Sequence, residues 1–253
     1  MINRWAKFPI LLLLVLFSVL GCSSDSSNES DSKNKVPRGV TAEEAQLFST
    51  ALYNNAVDKN ATFQMASGVL GSNGFRVQGK VDWINSIVEI NVSLFVENQI
   101  DMSNISSSEQ VFESFLGMTS LTRQAGLQDK YWIAREFNPD SYATDVLTQF
   151  VAKLASQTPD NPLLLKQNGA KFLGEEKVEG VETKKFQNTP NLTYFLTKDG
   201  ELKKVNARIG GFPNEINITF SDRGSTSIDV PRNEDAFTID EVKSFYPEKR
   251  PAF

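Results

Sequence analysis

The sequence predicts an α+β domain, an antiparallel sheet accompanied by a few helices, standing behind a targeting segment and a polar tether. Three observations predict it. Apolar residues recur at helical spacing in two places, residues 45–52 and 146–154. Apolar and polar residues alternate strictly through 75–83 and 88–96, and again in a series of short segments in the second half. Turn formers separate these runs, among them Asn85-Ser86, Asp199-Gly200 and Gly210-Gly211.

The first element is a targeting segment. Arg4 and Lys7 give a positive start, and residues 10–20 are almost wholly apolar. A run of about 11 residues is short for a bilayer span and typical of a signal h-region, with an uncleaved anchor or a buried helix as the alternative. It ends at Val19-Leu20-Gly21-Cys22, which contains the only cysteine of the chain. That tetrapeptide resembles the lipobox of bacterial lipoproteins; Gly21 fits it well, and Leu20 is bulkier than the usual Ala or Ser. The resemblance implies cleavage after Gly21 and lipidation of Cys22. Two or three acyl chains hold a protein to a membrane where one does not, so the expected location is the extracytoplasmic face of the cell membrane, lipid-anchored. Residues 23–35 carry Ser, Asp, Asn, Glu and Lys and no aliphatic or aromatic residue. Such a segment cannot offset its ordering entropy by burial and reads as a disordered tether. The expected organisation is a signal peptide over 1–21, a tether over 22–39, a folded domain over 40–235 and a C-terminal tail over 236–253.

Composition excludes several classes of function. Loss of Arg4 and Lys7 with the signal lowers Lys plus Arg from 26 to 24 against 31 Asp plus Glu, a net charge of −7. An acidic chain without a basic patch is not built for nucleic acid. With Cys22 lipidated, no thiol remains for disulfides or thiolate metal sites. The chain contains no histidine, which removes Ser-His-Asp and Cys-His chemistry, His-ligated zinc and the commonest general base near neutral pH. Carboxylate-only chemistry is conceivable, but Asp82, Glu89 and Glu97 fall on the polar face of the predicted strands. The expectation is a protein that is not an enzyme and that carries no metal and no cofactor.

The folded part opens with Thr41-Ala42-Glu43-Glu44, a capping box at the head of a helix over 41–57. Ala45, Phe48 and Leu52 form its apolar face. Two long strands follow as a hairpin: Phe75, Val77, Val81 and Trp83 alternate with polar residues, and so do Val88, Ile90, Val92, Leu94 and Val96 after the turn. Ile87 and Phe95, on the opposite face, indicate that neither face is fully wet. Residues 101–128 give no clear period beyond an apolar cluster at Val111, Phe112, Phe115 and Leu116. Tyr131-Trp132-Ile133 predicts a strand, and Val146, Leu147, Phe150, Val151 and Leu154 an amphipathic helix. Leu163 to Leu165, after two prolines, are either a mobile lip or a short buried turn of helix. Strands are expected at about 169–178, 181–188, 192–198, 201–209 and 214–221.

Two segments carry a resemblance to a family. Val178-Glu179-Gly180-Val181-Glu182-Thr183-Lys184-Lys185-Phe186 is similar to a turn and strand of the LppX/LprAFG family of actinobacterial lipoproteins. Ile216-Asn217-Ile218-Thr219-Phe220-Ser221-Asp222-Arg223-Gly224 is similar to its last core strand. The likeness extends over about 43–232 and implies a LolA-like fold: a strongly curved antiparallel half-barrel covered by helices around an apolar cavity. It also implies a lipid or glycolipid ligand and an exporter in the membrane as partner; the domain is expected to act as a monomer. Faces and stripes nominate Val77, Val81, Trp83, Val88, Ile90, Val92, Leu94, Val146, Phe150, Leu164, Ile216 and Ile218 as cavity-lining, with ordinary core packing as the alternative for each. Of 18 Phe, 16 remain once Phe8 and Phe17 leave with the signal. Three functions stand open: a carrier of acyl chains within the envelope, a non-carrier sensor or scaffold binding a protein partner, and a histidine-free hydrolase.

Overall fold

The structure is a computed structural model that describes residues 37–68, 74–94, 100–115, 118, 122–123 and 130–245. Cys22, the signal and the polar stretch through Lys35 lie outside the described residues, as do Phe95, Glu97 and Leu116.

Thr41 caps the first helix as its sequence dictates. Its hydroxyl accepts from the Glu44 amide at 3.2 Å, and the Glu44 carboxylate accepts from the Thr41 amide at 2.9 Å. The single helix expected over 41–57 is two, α1 (Ala42–Ser49) and α2 (Ala51–Asp58). Thr50 divides them because its hydroxyl donates back to the Leu47 carbonyl at 3.0 Å and its amide turns to the same carbonyl. Lys59 then takes φ of 71°, and the chain leaves directly into a strand that sequence analysis does not assign, β2 (Asn60–Ser67).

The expected hairpin is β3 (Phe75–Asp82) and β4 (Ile87–Leu94). Asp82 builds its turn by accepting from the Ile84 and Asn85 amides, both at 3.0 Å. The unassigned stretch holds two more strands, β5 (Ile100–Ser106) and β6 (Gln110–Phe115), followed by β7 (Trp132–Glu136). The middle helices are α3 (Ala143–Ala152) and α4 (Pro162–Gln167). The second half is the meander the turn residues predict: β8 (Lys171–Val178), β9 (Val181–Thr189), β10 (Leu192–Leu196), β11 (Leu202–Ala207) and β12 (Ile216–Ser221). Residues from 236 onward, expected as a tail, begin with sheet structure. β13 (Ala236–Thr238) pairs in parallel with β7, and α5 (Ile239–Phe245) follows.

With the two-residue β1 (Arg38–Gly39), thirteen strands form one sheet in the order β1-β8-β9-β10-β11-β12-β2-β3-β4-β5-β6-β7-β13. The sheet is curved and does not close on itself, and every described pairing except β7 with β13 is antiparallel. So many strands cannot stay flat, because the twist of each pair accumulates until the sheet curls.

Candidate inner face and its polar end

Directly opposed residues of antiparallel strands point to the same side of a sheet, so the strand register draws the inner face. One row runs Phe172, Phe186, Tyr194, Val205, Ile218, Met65, Val77, Val92, across eight strands from β8 to β4. Each of these side chains is buried. A second row runs Phe220, Phe63, Gly79, Ile90, and a third sets Ala61 beside Val81 and Val88. Together they make an apolar floor.

Short helices cover it. α1 lays Phe48 on the β9–β10 side, its ring stacked on Phe186 at 5.2 Å and tilted against Tyr194 at 5.2 Å. α3 crosses β3, β4 and β5 and contributes Leu147 and Val151 to the same cluster. α2 meets the segment that follows α3 where the Asn55 side-chain amide donates to the Leu154 carbonyl at 2.5 Å and the Ser156 backbone amide to the Leu52 carbonyl at 3.0 Å. Below, Trp83 donates its indole N–H to the Val151 carbonyl at 3.1 Å. That bond ties the sheet to the C-terminal end of α3.

The floor has one close approach. Gly79 lies under the Phe63 ring, and a Cβ there would stand 2.5 Å from the Glu89 carbonyl oxygen and closer still to Phe63 Cζ. Glycine is required because an aromatic ring occupies the space of its missing side chain.

The predicted cavity set divides. Val77, Val81, Trp83, Val88, Ile90, Val92, Ile216 and Ile218 all face inward, buried in one apolar cluster with the helices. Phe150 packs against that cluster part-buried, and Val146 is half-buried on α3. The side chain of Leu94 lies outside the described residues. Leu164 points away: it is 52 % exposed and Leu163 is 69 % exposed, while Leu165 is the leucine that α4 buries. A helix of one and a half turns held against α1 has room for one inward leucine, which makes the short helical turn the outcome at 163–165. The inner face is filled by its own side chains. Two open concavities among the described residues lie elsewhere: about 390 Å³ lined by Asn54, Asp58, Glu201 and Arg223, and about 490 Å³ lined by Tyr131, Trp132, Val230 and Asp235. Of the carboxylates considered for catalysis, Asp82 serves its turn and Glu89 pairs with Lys80 at 3.1 Å.

At β5 the floor changes character. Opposite Ile90 stands Asn104, and opposite Val88 stands Ser106. Glu113 on β6 follows Asn104, and Arg135 on β7 follows Val111 in the Ser106 row. α3 brings Asp145 down onto them. Arg135 donates to Asp145 through Nη1 and Nη2, both at 2.7 Å, and from Nη2 to Glu113 at 2.6 Å. Asp145 also accepts from the Asn138 amide at 2.7 Å, and the Tyr142 ring lies 3.8 Å from the guanidinium carbon. Burial works against the Arg135 charge, but the two carboxylates overcome it and raise its pKa above the ordinary arginine value. None of these residues was singled out from sequence. Asp145 in the first turn of a helix, where the macrodipole favours a carboxylate, is a weak signal; its partner ten residues earlier is not marked at all.

The opposite face carries a smaller cluster, Ile105, Phe112 and Ala236, with Ile87, Trp132 and Ile228 packed against it. The expectation that neither face is fully wet holds there. Among the described residues no helix is long and apolar enough to cross a membrane.

No family model matches the sequence, and no curated protein matches it. Among solved structures the chain is similar to the Mycobacterium tuberculosis lipoprotein LppX, at 10 % identity over 73 % of this chain and 97 % of that one, with a TM-score of 0.40. It is also similar to MucB, at 13 % identity over 75 % of this chain and 59 % of that one, with a TM-score of 0.28. The first bears the name of the family that the 178–186 and 216–224 segments resemble.

Proposed function

We propose that this protein is a membrane-anchored lipoprotein that takes acyl chains of lipids or glycolipids between its inner sheet face and the covering helices, and carries them within the cell envelope. The observation that carries the reading is the apolar floor: three adjoining rows of buried side chains, roofed by short helices and not by a second sheet. Helices of eight, eight, ten and six residues are marginal on their own and take their stability from what they pack on. The sheet beneath is a continuous hydrogen-bonded ladder and stays intact if a helix lifts. An acyl chain entering under α3 would replace side-chain contacts with equally apolar ones, at about 25 cal/mol for each Å² of apolar surface removed from water. The resting state is then closed, and uptake requires α3 to move. The action is sequestration without bond chemistry. The Cys22 anchor would hold the domain beside the membrane, where an exporter could hand lipid on.

A second reading, a sensor or scaffold that binds a protein partner, is favoured by one observation: the inner face is filled by its own side chains. Residues 34–253 form one compact unit that contains every described helix and strand, so the domain can be produced without its anchor. Mass spectrometry of organic extracts of that domain, purified from its native host, separates the readings. The carrier predicts acyl lipid in near-equal amount to protein; the scaffold predicts none.

A further inference from the structure

The polar end of the inner face holds three buried side-chain atoms that have no hydrogen-bond partner among the described residues: Asn104 Oδ1, Ser106 Oγ and Arg135 Nε. Their residues are 0, 2 and 6 % exposed. A buried polar atom left unpaired costs free energy, and in native proteins such an atom is commonly met by water or an ion. Here they sit on two strands of one face, Asn104 and Ser106 on β5 and Arg135 on β7, under or beside α3, and the β5 pair stands one strand step from the apolar floor: Asn104 opposes Ile90, and Ser106 opposes Val88.

From this we infer that Asn104, Ser106 and Arg135 form a subsite for the hydroxyl-bearing, uncharged head group of a lipid whose acyl chains lie on the floor at Val88, Ile90 and Val92. The inference rests on the carrier reading and adds the head-group class to it. The chemistry of the three atoms selects the class. Asn104 Oδ1 only accepts, Arg135 Nε–H only donates, and Ser106 Oγ does both, so the fitting group must itself donate and accept, as a sugar or glycerol hydroxyl does. A phosphate is disfavoured because the Arg135 charge is already met by Asp145 and Glu113, which leaves the trio one negative charge in excess. A simple cation is disfavoured by the donor Arg135 Nε–H. The subsite belongs to a lipid and not to a free sugar, because the same strand pairs lead without interruption into apolar residues.

The test uses the 34–253 domain, delipidated, with three probes: a monogalactosyl diacylglycerol, a triacylglycerol with the same acyl chains, and methyl galactoside. The wild type is expected to bind the glycolipid about tenfold more tightly than the triacylglycerol and the galactoside not measurably at millimolar concentration. Ser106→Ala removes one unpaired hydroxyl. It should weaken glycolipid binding about threefold to tenfold, leave triacylglycerol binding unchanged, and leave the melting temperature of the empty domain unchanged or raised. Equal binding of both lipids, unaltered in Ser106→Ala, overturns the subsite and leaves the carrier reading standing. Binding of neither lipid overturns both. Galactoside binding as tight as that of the glycolipid overturns the assignment to a lipid. A melting temperature lowered by Ser106→Ala, with glycolipid affinity unchanged, assigns the hydroxyl a structural water and overturns the subsite.

Discussion

The two ends of the inner face are built on opposite principles. From β8 to β4 the floor is a continuum of apolar side chains, held by area and shape with one hydrogen bond, from Trp83, reaching up to α3. From β5 to β7 it is held by a few directed contacts, in which Arg135 joins the sheet to the first turn of α3. Hydrophobic packing is non-directional and tolerates exchange of one apolar group for another. A buried ion pair tolerates none, since removing one partner strands the other in low dielectric. The same helix is therefore pinned at its N-terminal end and replaceable in its contacts along the rest.

The largest expected effect breaks the pinned end. Arg135→Met leaves Asp145 and Glu113 facing each other without a counter-charge and should cost about 3–5 kcal/mol in a urea titration. A loss below about 1 kcal/mol would mean the pair is solvated and that both ends of the face are alike. Next comes the floor. Gly79→Ala puts a methyl group against the Glu89 carbonyl and the Phe63 ring and should cost about 1–3 kcal/mol by overpacking. Phe63→Leu in that background should recover only part of the loss, because the carbonyl is backbone and cannot move aside. Trp83→Phe is smaller, about 1 kcal/mol for one hydrogen bond. It should raise hydrogen exchange at the C-terminal turn of α3 while leaving the first turn protected; equal exchange at both ends would dissolve the distinction between pinned and free.

The smallest effect lies outside the face. Arg38 donates to both oxygens of Glu44, each at 2.7 Å, tying edge strand β1 to α1. The side-chain hydrogen bond from Arg38, with the Thr41 amide, lowers the Glu44 pKa from 4.5 to about 2. A depressed carboxylate pKa contributes stability that is present above the unfolded value and lost as pH falls through the folded one. The contribution is therefore complete above about pH 5 and disappears between pH 4.5 and 2. Melting temperatures across that range should fall more steeply for the wild type than for Glu44→Gln.

The contrast between the ends also explains what the sequence disclosed. Strands β3, β4 and β12 place apolar residues on one face, so period two is plain; in the meander it is the turn residues, Glu179-Gly180 between β8 and β9 and Asp199-Gly200 between β10 and β11, that mark the strand ends. At β5 the inward residues are Met102, Asn104 and Ser106, while Ile105 faces outward; polar residues inside invert the pattern and hide the strand. β2 escapes for a different reason. Ala61, Phe63 and Met65 do alternate, but the strand starts one residue after a helix, where Lys59 turns the chain in a left-handed conformation that a lysine does not advertise. Eight of the twelve cavity candidates lie on the floor because alternation reports burial. Whether burial is against protein or ligand is a matter of which helix can lift, and no period carries that.

The most direct test of the central claim is contact between an acyl chain and Trp83. In the 34–253 domain with Trp132→Phe, Trp83 is the only tryptophan. It is buried at the edge of the floor and bonded to α3. Titration with a diacylglycerol brominated in its acyl chains should quench its fluorescence saturably, with unbrominated lipid competing and bromide ion in solution giving no quenching. Unchanged Trp83 fluorescence at lipid concentrations that saturate a control lipid carrier would contradict the account, and would leave the inner face as a closed core.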